Sequence, residues 1–268
     1  MILRKYRGQF LVIRQTDHGR QCALFVRHWG SQAADRPAPY EPLLYAAAEH
    51  DNGWAEWEAH PTLDPSTGQP WQFVDLPAEQ HLALYRRGIA RSAAHDPYSG
   101  LLVSMHGVGL YNDRYGTWPR PVARPLNETQ RALVAAYIAD QEALQARLRQ
   151  AAAADPRYAA CATDQAIWRA YKLLQVWDRL SLQFCWRACT SGEIAPAPLR
   201  ADAPDETLIC TGDGDLTLRI SPYPFDRSPV DLPVAARLLP DRRYASTEDF
   251  LAAYDAAEPI ELPFRAVA

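Results

Sequence analysis

A histidine followed directly by an aspartate, His50-Asp51, closes a run of residues that reads as a helix, and its position there is chemically awkward. Pro42 suits a first helical residue, Leu43, Leu44, Ala46, Ala47 and Ala48 favour or permit helix, and Asn52-Gly53 is a stop signal. The pair therefore falls in the last turn, where a carboxylate meets the negative end of the helix dipole at a cost of about 0.3 to 1 kcal/mol. Leu43, Ala47, His50 and Trp54 recur at helical spacing, as do Leu44, Ala47 and Asp51, so both polar residues border the apolar face. Either the two side chains cap loop amides at a surface helix end, or a bound cation offsets the cost.

Two other helices offer matching groups. A helix from Thr16, read as its N-cap, to Trp29 places His18 on the stripe of Cys22, Phe25 and Trp29 and so points it inward. On a helix from about Asp164 to Cys189, Ile167, Tyr171, Leu174, Asp178, Ser181 and Cys185 form one face, which puts Asp178 in a core slot. Its neighbours one turn away, Leu174, Gln175, Ser181 and Leu182, include no base, so either a metal ion or an arginine from elsewhere must meet it. Two imidazoles and two carboxylates make a hard-to-borderline site suited to Mn, Fe, Co, Ni, Mg or Zn.

The elements that must position these groups can be traced along the chain. Ile2 to Arg14 reads as a β-hairpin turning at Arg7-Gly8, and Ala59 to Leu76 as a loop punctuated by prolines. Pro77 to Ala94 is helical, and Asp96-Pro97 caps and starts a further helix that carries His106 beside its apolar stripe. Tyr111 to Pro125 is a Gly- and Pro-containing loop suited to a lid, and Asn127 with Gln130 forms a capping box for a long helix. Past Ser191-Gly192 the pattern turns to strands: Thr207 to Cys210, Leu216 to Ile220, an alternating run from Val230 to Leu238, and a last strand through Ile260, Leu262 and Phe264. Thr211 to Asp215 joins the first two as a tight turn, and Ser246 with Asp249 opens a short helix. The expected fold is mainly α (α+β) in a single domain over 1–268: a helical core over 15–192, with β-rich elements at 1–14 and 205–265 packed on it.

Composition narrows the function classes. Over 268 residues, 48% hydrophobic and 22% charged residues describe a folded globular chain. A net charge of −4 with mixed signs offers no nucleic-acid or anionic-membrane surface, and no apolar run reaches membrane-spanning length. The N-terminus lacks the apolar core of a signal peptide, so the expected location is cytoplasmic. The five cysteines are scattered and odd in number; Cys185 and Cys189 lack a second pair for a zinc site, and they read as buried free thiols.

In Asp17-His18-Gly19, Glu49-His50-Asp51-Asn52-Gly53-Trp54 and Val176-Trp177-Asp178-Arg179-Leu180, the order of residues resembles the HD-domain superfamily of metal-dependent phosphohydrolases. The whole chain, including Gln15-Thr16-Asp17-His18 and Ser104-Met105-His106-Gly107, also looks like a bacterial family of unknown function with the same arrangement. The first resemblance implies an HD-like bundle in which His18, His50, Asp51 and Asp178 hold a divalent ion. Trp54 stands where many HD enzymes have a lysine. His81, His95 and His106 could supply a second metal, as in HD-related di-iron oxygenases, with His106 the best placed.

The expected function is a metal-dependent hydrolase of a phosphate ester or nucleotide, acting on a small-molecule substrate. A metal-activated water would be the nucleophile, with Asp51 or His106 orienting it or taking its proton. Arg27, Arg87, Arg91, Lys172 or Trp54 would contact the substrate. The alternatives are a di-iron oxygenase on the same fold and a non-catalytic module braced by its metal.

Overall fold

The computed structural model describes residues 1–117, 126–214 and 216–268. Strands β1 (Ile2–Tyr6) and β2 (Gln9–Ile13) form the N-terminal hairpin, with Arg7 at φ 51° and Gly8 at φ 78°, the left-handed pair that a two-residue turn needs to match strand twist. Helix α1 (Gln15–His28) follows at once, and α2 (Tyr40–Glu49) packs against it. The cap of α1 is Arg14, and Thr16 lies inside the first turn, where its hydroxyl bonds the Glu58 carboxylate instead of capping. Pro42 is likewise in the first turn of α2 and not its first residue, because Tyr40 and Glu41 already wind helically.

After α2 the chain makes a 3-10 turn at Asn52–Trp54 and a short helix α3 (Ala55–Ala59). The following loop contains a two-residue ladder, β3 (Leu63–Asp64) with β4 (Gln69–Pro70). Helix α4 (Ala78–His95) runs into α5 (Pro97–Gly109), whose N-cap Asp96 accepts from Ser99 N–H. Every residue of α5 from Tyr98 to Gly109 is buried, so this helix is the axis of the bundle, contacted by α2, α4, α7 (Glu128–Ala154) and α8 (Asp164–Cys185). Between α5 and α7 lies α6 (Asp113–Gly116), a single left-handed turn. Of the loop read as a lid, residues 118–125 lie outside the described residues. The capping box of Asn127 and Gln130 at the start of α7 is formed.

The remaining chain is mostly strand. A mixed five-stranded sheet has the order β5 (Thr190–Ala197), β6 (Glu206–Asp213), β7 (Thr217–Ser221), β11 (Arg265–Val267), β8 (Val230–Asp231). A second, antiparallel sheet runs β1, β2, β9 (Val234–Leu239), β10 (Pro259–Leu262), so the N-terminal hairpin is completed by strands from the far end of the sequence. Helix α9 (Thr247–Ala256), capped by Ser246, links β9 to β10. Two runs that read as single strands are each divided between the two sheets. Pro233 separates β8 from β9 and Pro263 separates β10 from β11, since a proline has no N–H to give a ladder. Strand β5 carries a bulge and too little alternation to be read from sequence. Of the run read as a tight turn, Thr211 to Asp213 continue β6, and Asp215 lies outside the described residues. The whole is a mixed α+β protein, and among the described residues no helix is long and apolar enough to cross a membrane.

Two glycines set the spacing around the end of α2. A Cβ on Gly19 would stand 2.5 Å from the Ala48 carbonyl oxygen, and one on Gly53 would stand 2.0 Å from that of Leu84. Both contacts are with backbone, which cannot swing aside. Gly53→Ala is therefore expected to destabilise the protein by at least about 1–3 kcal/mol. A urea unfolding curve with an unchanged midpoint would contradict this contact.

Candidate metal centre

The close approach of α1 and α2 at Gly19 brings His18 against His50, with ring centroids 5.1 Å apart. The last helical residue of α2 is Glu49; His50 is its C-cap, and Asp51 leads into the 3-10 turn. The pair thus sits at the helix end, as its sequence position required, but buried: His50 is 1% exposed and Asp51 4%. Helix α8 carries Asp178 to the same point on its apolar face, and α5 carries His106.

Four groups expected to share a site do meet. His18 Nε2 lies 3.3 Å from Asp178 Oδ1 and 4.0 Å from Asp51 Oδ2, and His50 Nε2 lies 3.4 Å from Asp51 Oδ2 and 3.9 Å from Asp178 Oδ1. The hydrogen bonds behind the rings fix their tautomers. Ser181 Oγ donates to Gln21 Oε1 at 2.6 Å, so at 2.6 Å from His18 Nδ1 it must accept, and His18 carries its hydrogen on Nδ1. His50 Nδ1 donates to the Ala47 carbonyl at 3.0 Å. Both Nε2 atoms are left with bare lone pairs facing two carboxylates, and neither has a hydrogen-bond partner. A lone pair aimed at an anion is unfavourable, and a cation between them removes the conflict. Imidazole nitrogens and carboxylate oxygens gathered in this way could hold a metal ion.

Each carboxylate also has anchors of its own. Tyr85 donates to Asp51 Oδ1 at 2.5 Å and Gln15 Nε2 to Asp51 Oδ2 at 3.0 Å. Burial, then the Asp51 charge, pushes the Tyr85 hydroxyl well above its ordinary pKa, so it remains a donor. Arg114 Nη2 donates to Asp178 Oδ2 at 3.1 Å from a position only 5% exposed. Burial alone would raise the Asp178 carboxyl, but its neighbours, with the Arg114 guanidinium the permanently charged one among them, hold the group well below the usual carboxylate range. Of the two readings of Asp178 from sequence, the arginine is the one met: Arg114 takes one oxygen, and the other faces the imidazoles.

Arg114 is the residue that sequence reasoning missed. It sits in α6, where Asp113, Arg114 and Tyr115 have φ of 54°, 53° and 57°. Such a conformation costs a non-glycine residue about 1–2 kcal/mol, and it persists here because the turn is pinned on both sides. Asn112 Oδ1 accepts from Tyr115 N–H at 2.9 Å, and the Tyr115 hydroxyl meets Gln145 of α7, which in turn bonds Ser104 of α5. A left-handed turn has no periodicity; Asn112 and Gly116, both tolerant of turns, are its only marks in the sequence.

His106 borders the centre with Nε2 3.8 Å from Asp51 Oδ1, and the ligand atoms of His50, Asp51 and His106 lie within 4.8 Å of one another. Gln175 Nε2 lies 3.2 Å from His106 Nδ1, so that nitrogen accepts and the hydrogen stands on Nε2. Burial, then His50, lowers the His106 pKa from 6.5 to about 3. Cys22 forms another close group with His18 and His50, but burial raises its thiol pKa well above the ordinary value, and the thiol donates to the Trp177 carbonyl. All five cysteines are free, and Cys22, Cys185, Cys189 and Cys210 are buried.

Other candidates lie elsewhere. His81 is buried on the Tyr111 hydroxyl at 2.7 Å, and His95 stacks on Tyr45 at the surface. Arg87 and Arg91 pair with Glu56, Lys172 pairs with Asp205, and Arg27 lines an outer groove of about 440 Å³ with Tyr45 and Arg157. Trp54 is buried and, with His50, Asp51 and Tyr85, borders a crevice too tight to admit a water molecule.

Fold and site together define a mixed α+β protein with a buried cluster of histidines and aspartates able to hold a metal ion. The chain belongs to the family described as protein of unknown function (DUF3891), whose model matches residues 1–241. No curated protein and no solved structure matches it.

The depressed His106 pKa has a consequence for stability. Below its ordinary 6.5 the unfolded chain takes up a proton that the buried ring refuses, so this residue's contribution is complete above 6.5 and is lost as pH falls toward about 3. Chelator-treated protein should lose unfolding free energy across that window, and His106→Gln should flatten the slope. An unaltered pH profile in the variant would contradict the assignment.

Proposed function

We propose that the protein is a metal-dependent hydrolase of a phosphate ester or nucleotide, working through an HD-like centre formed by His18, His50, Asp51 and Asp178. The observation that carries this reading is the pair of bare imidazole Nε2 atoms facing two carboxylates in a buried site. A divalent ion bound there supplies Lewis acidity, lowering the pKa of a water and polarising a phosphoryl oxygen. Asp51, fixed by Tyr85 and Gln15, orients the attacking water. His106 presents its Nε2–H to the same space and would offer a hydrogen bond there. The burial of these groups strengthens their electrostatic contacts.

Metal analysis of purified protein is expected to find a stoichiometric divalent ion that His50→Ala loses while keeping its circular dichroism. The wild type should then hydrolyse one class within a panel of phosphate monoesters, diesters and nucleotides assayed with several divalent ions. Unchanged metal content in His50→Ala would overturn the reading.

A second reading, a di-iron oxygenase, draws on the group of His50, Asp51 and His106 beside His18 and Asp178. It requires two irons per chain and a visible absorption band on protein purified without oxygen. A single redox-inert ion would exclude it.

A further inference from the structure

We propose that Gln21, three residues beyond His18 on α1, is the positioning residue that decides which nitrogen of His18 carries the hydrogen, and so whether the ring can serve as a metal ligand. The second half of this rests on the metal-centre reading above; the position of the hydrogen does not. The chain of constraint starts outside the helices, at Leu232 between β8 and β9, whose N–H donates to the Phe264 carbonyl at 2.8 Å. The Leu232 carbonyl faces the Gln21 side chain at 2.8 Å and can only accept, so the amide must turn Nε2 toward it and Oε1 away. Oε1 can only accept in its turn, and it meets Ser181 Oγ at 2.6 Å and Cys185 Sγ at 3.5 Å. Ser181 has one hydrogen to give, and its other acceptors, the His18 carbonyl at 3.4 Å and Cys185 Sγ at 3.8 Å, are farther off. Committed to Gln21, the hydroxyl offers His18 Nδ1 only lone pairs at 2.6 Å. Gln21, Ser181 and Leu232 are fully buried, so solvent does not compete for any of these groups.

The front of the ring pulls the other way. His18 Nε2 lies 3.3 Å from Asp178 Oδ1, and a hydrogen there would bond that carboxylate and close the nitrogen to a metal ion. The relay prevails on distance, since 2.6 Å behind the ring is a short hydrogen bond and 3.3 Å in front of it is a long one. His50 needs no such relay, because its Nδ1 meets a backbone carbonyl, which accepts and never donates. A hydroxyl can do either. Behind His18 something must therefore fix the direction in which Ser181 points its hydrogen, and Gln21, itself oriented by a backbone carbonyl, does so.

The test is nitrogen-15 NMR of the imidazoles in the metal-free full chain at about pH 8, above the ordinary imidazole range. Wild type is compared with Gln21→Met, which keeps the side-chain length and removes the amide, and each is then titrated with zinc ion alone. The His18 signals, those absent from His18→Gln, are expected to show Nδ1–H in wild type. In Gln21→Met, Ser181 turns its hydrogen to Nδ1, His18 shifts its own to Nε2, and zinc affinity falls by about 10- to 100-fold. Should Gln21→Met fail to fold, Ser181→Ala removes the acceptor itself and should give the same reversal. Nε2–H in wild type overturns the relay. Nδ1–H retained in Gln21→Met, or in Ser181→Ala where that variant stands in, overturns control from behind the ring. A reversed hydrogen with equal zinc affinity overturns the consequence for metal binding, and a wild type that shows Nδ1–H yet takes up no zinc overturns the metal-centre reading while the role of Gln21 stands.

Discussion

Asp51 and Asp178 carry their charges where water scarcely reaches, and much of the structure around them serves to make that tolerable. Each carboxylate is anchored from behind, Asp51 by a tyrosine and a glutamine, Asp178 by an arginine, while the front of each faces imidazole nitrogens. The imidazoles are held in turn: His18 by the relay through Ser181 to Gln21, His50 by the Ala47 carbonyl. Gln21 ends the relay on the Leu232 carbonyl, which ties the donor set to the strand region at the far end of the sequence. Hydrogen bonds of this kind fix the position of each ring and carboxylate.

The parts of this arrangement that were legible in the sequence are those that obey a helical period. His18 and Asp178 each fall on an apolar stripe, and His50-Asp51 falls where helix-favouring residues give way to Asn-Gly. Gln15 and Tyr85 do not show, because a donor's aim depends on the packing of two elements and not on the pattern within one. Arg114 is hidden for a different reason: it belongs to a left-handed turn whose conformation is imposed by tertiary contacts against local preference. The sheets were half visible. Alternation marked residues that form strands, but only Pro233 and Pro263 tell where each run passes from one sheet to the other. The close approach of α1 to α2 leaves no room for a Cβ at Gly19, a residue that in sequence reads only as a weak helix former.

The pairing of β2 with β9 bears on how the molecule comes into being. Phe10, Leu11 and Val12 pair with Leu239, Leu238 and Arg237, partners made long after α1 and α2. Until then the hairpin that leads into His18 has an open edge, a row of unsatisfied N–H and C=O groups on an apolar strand, which invites pairing with another chain. A fragment stopping short of Val234 would carry His18, His50, Asp51 and Asp178 and still be sticky. Strand β9 thus acts as a seal on that edge.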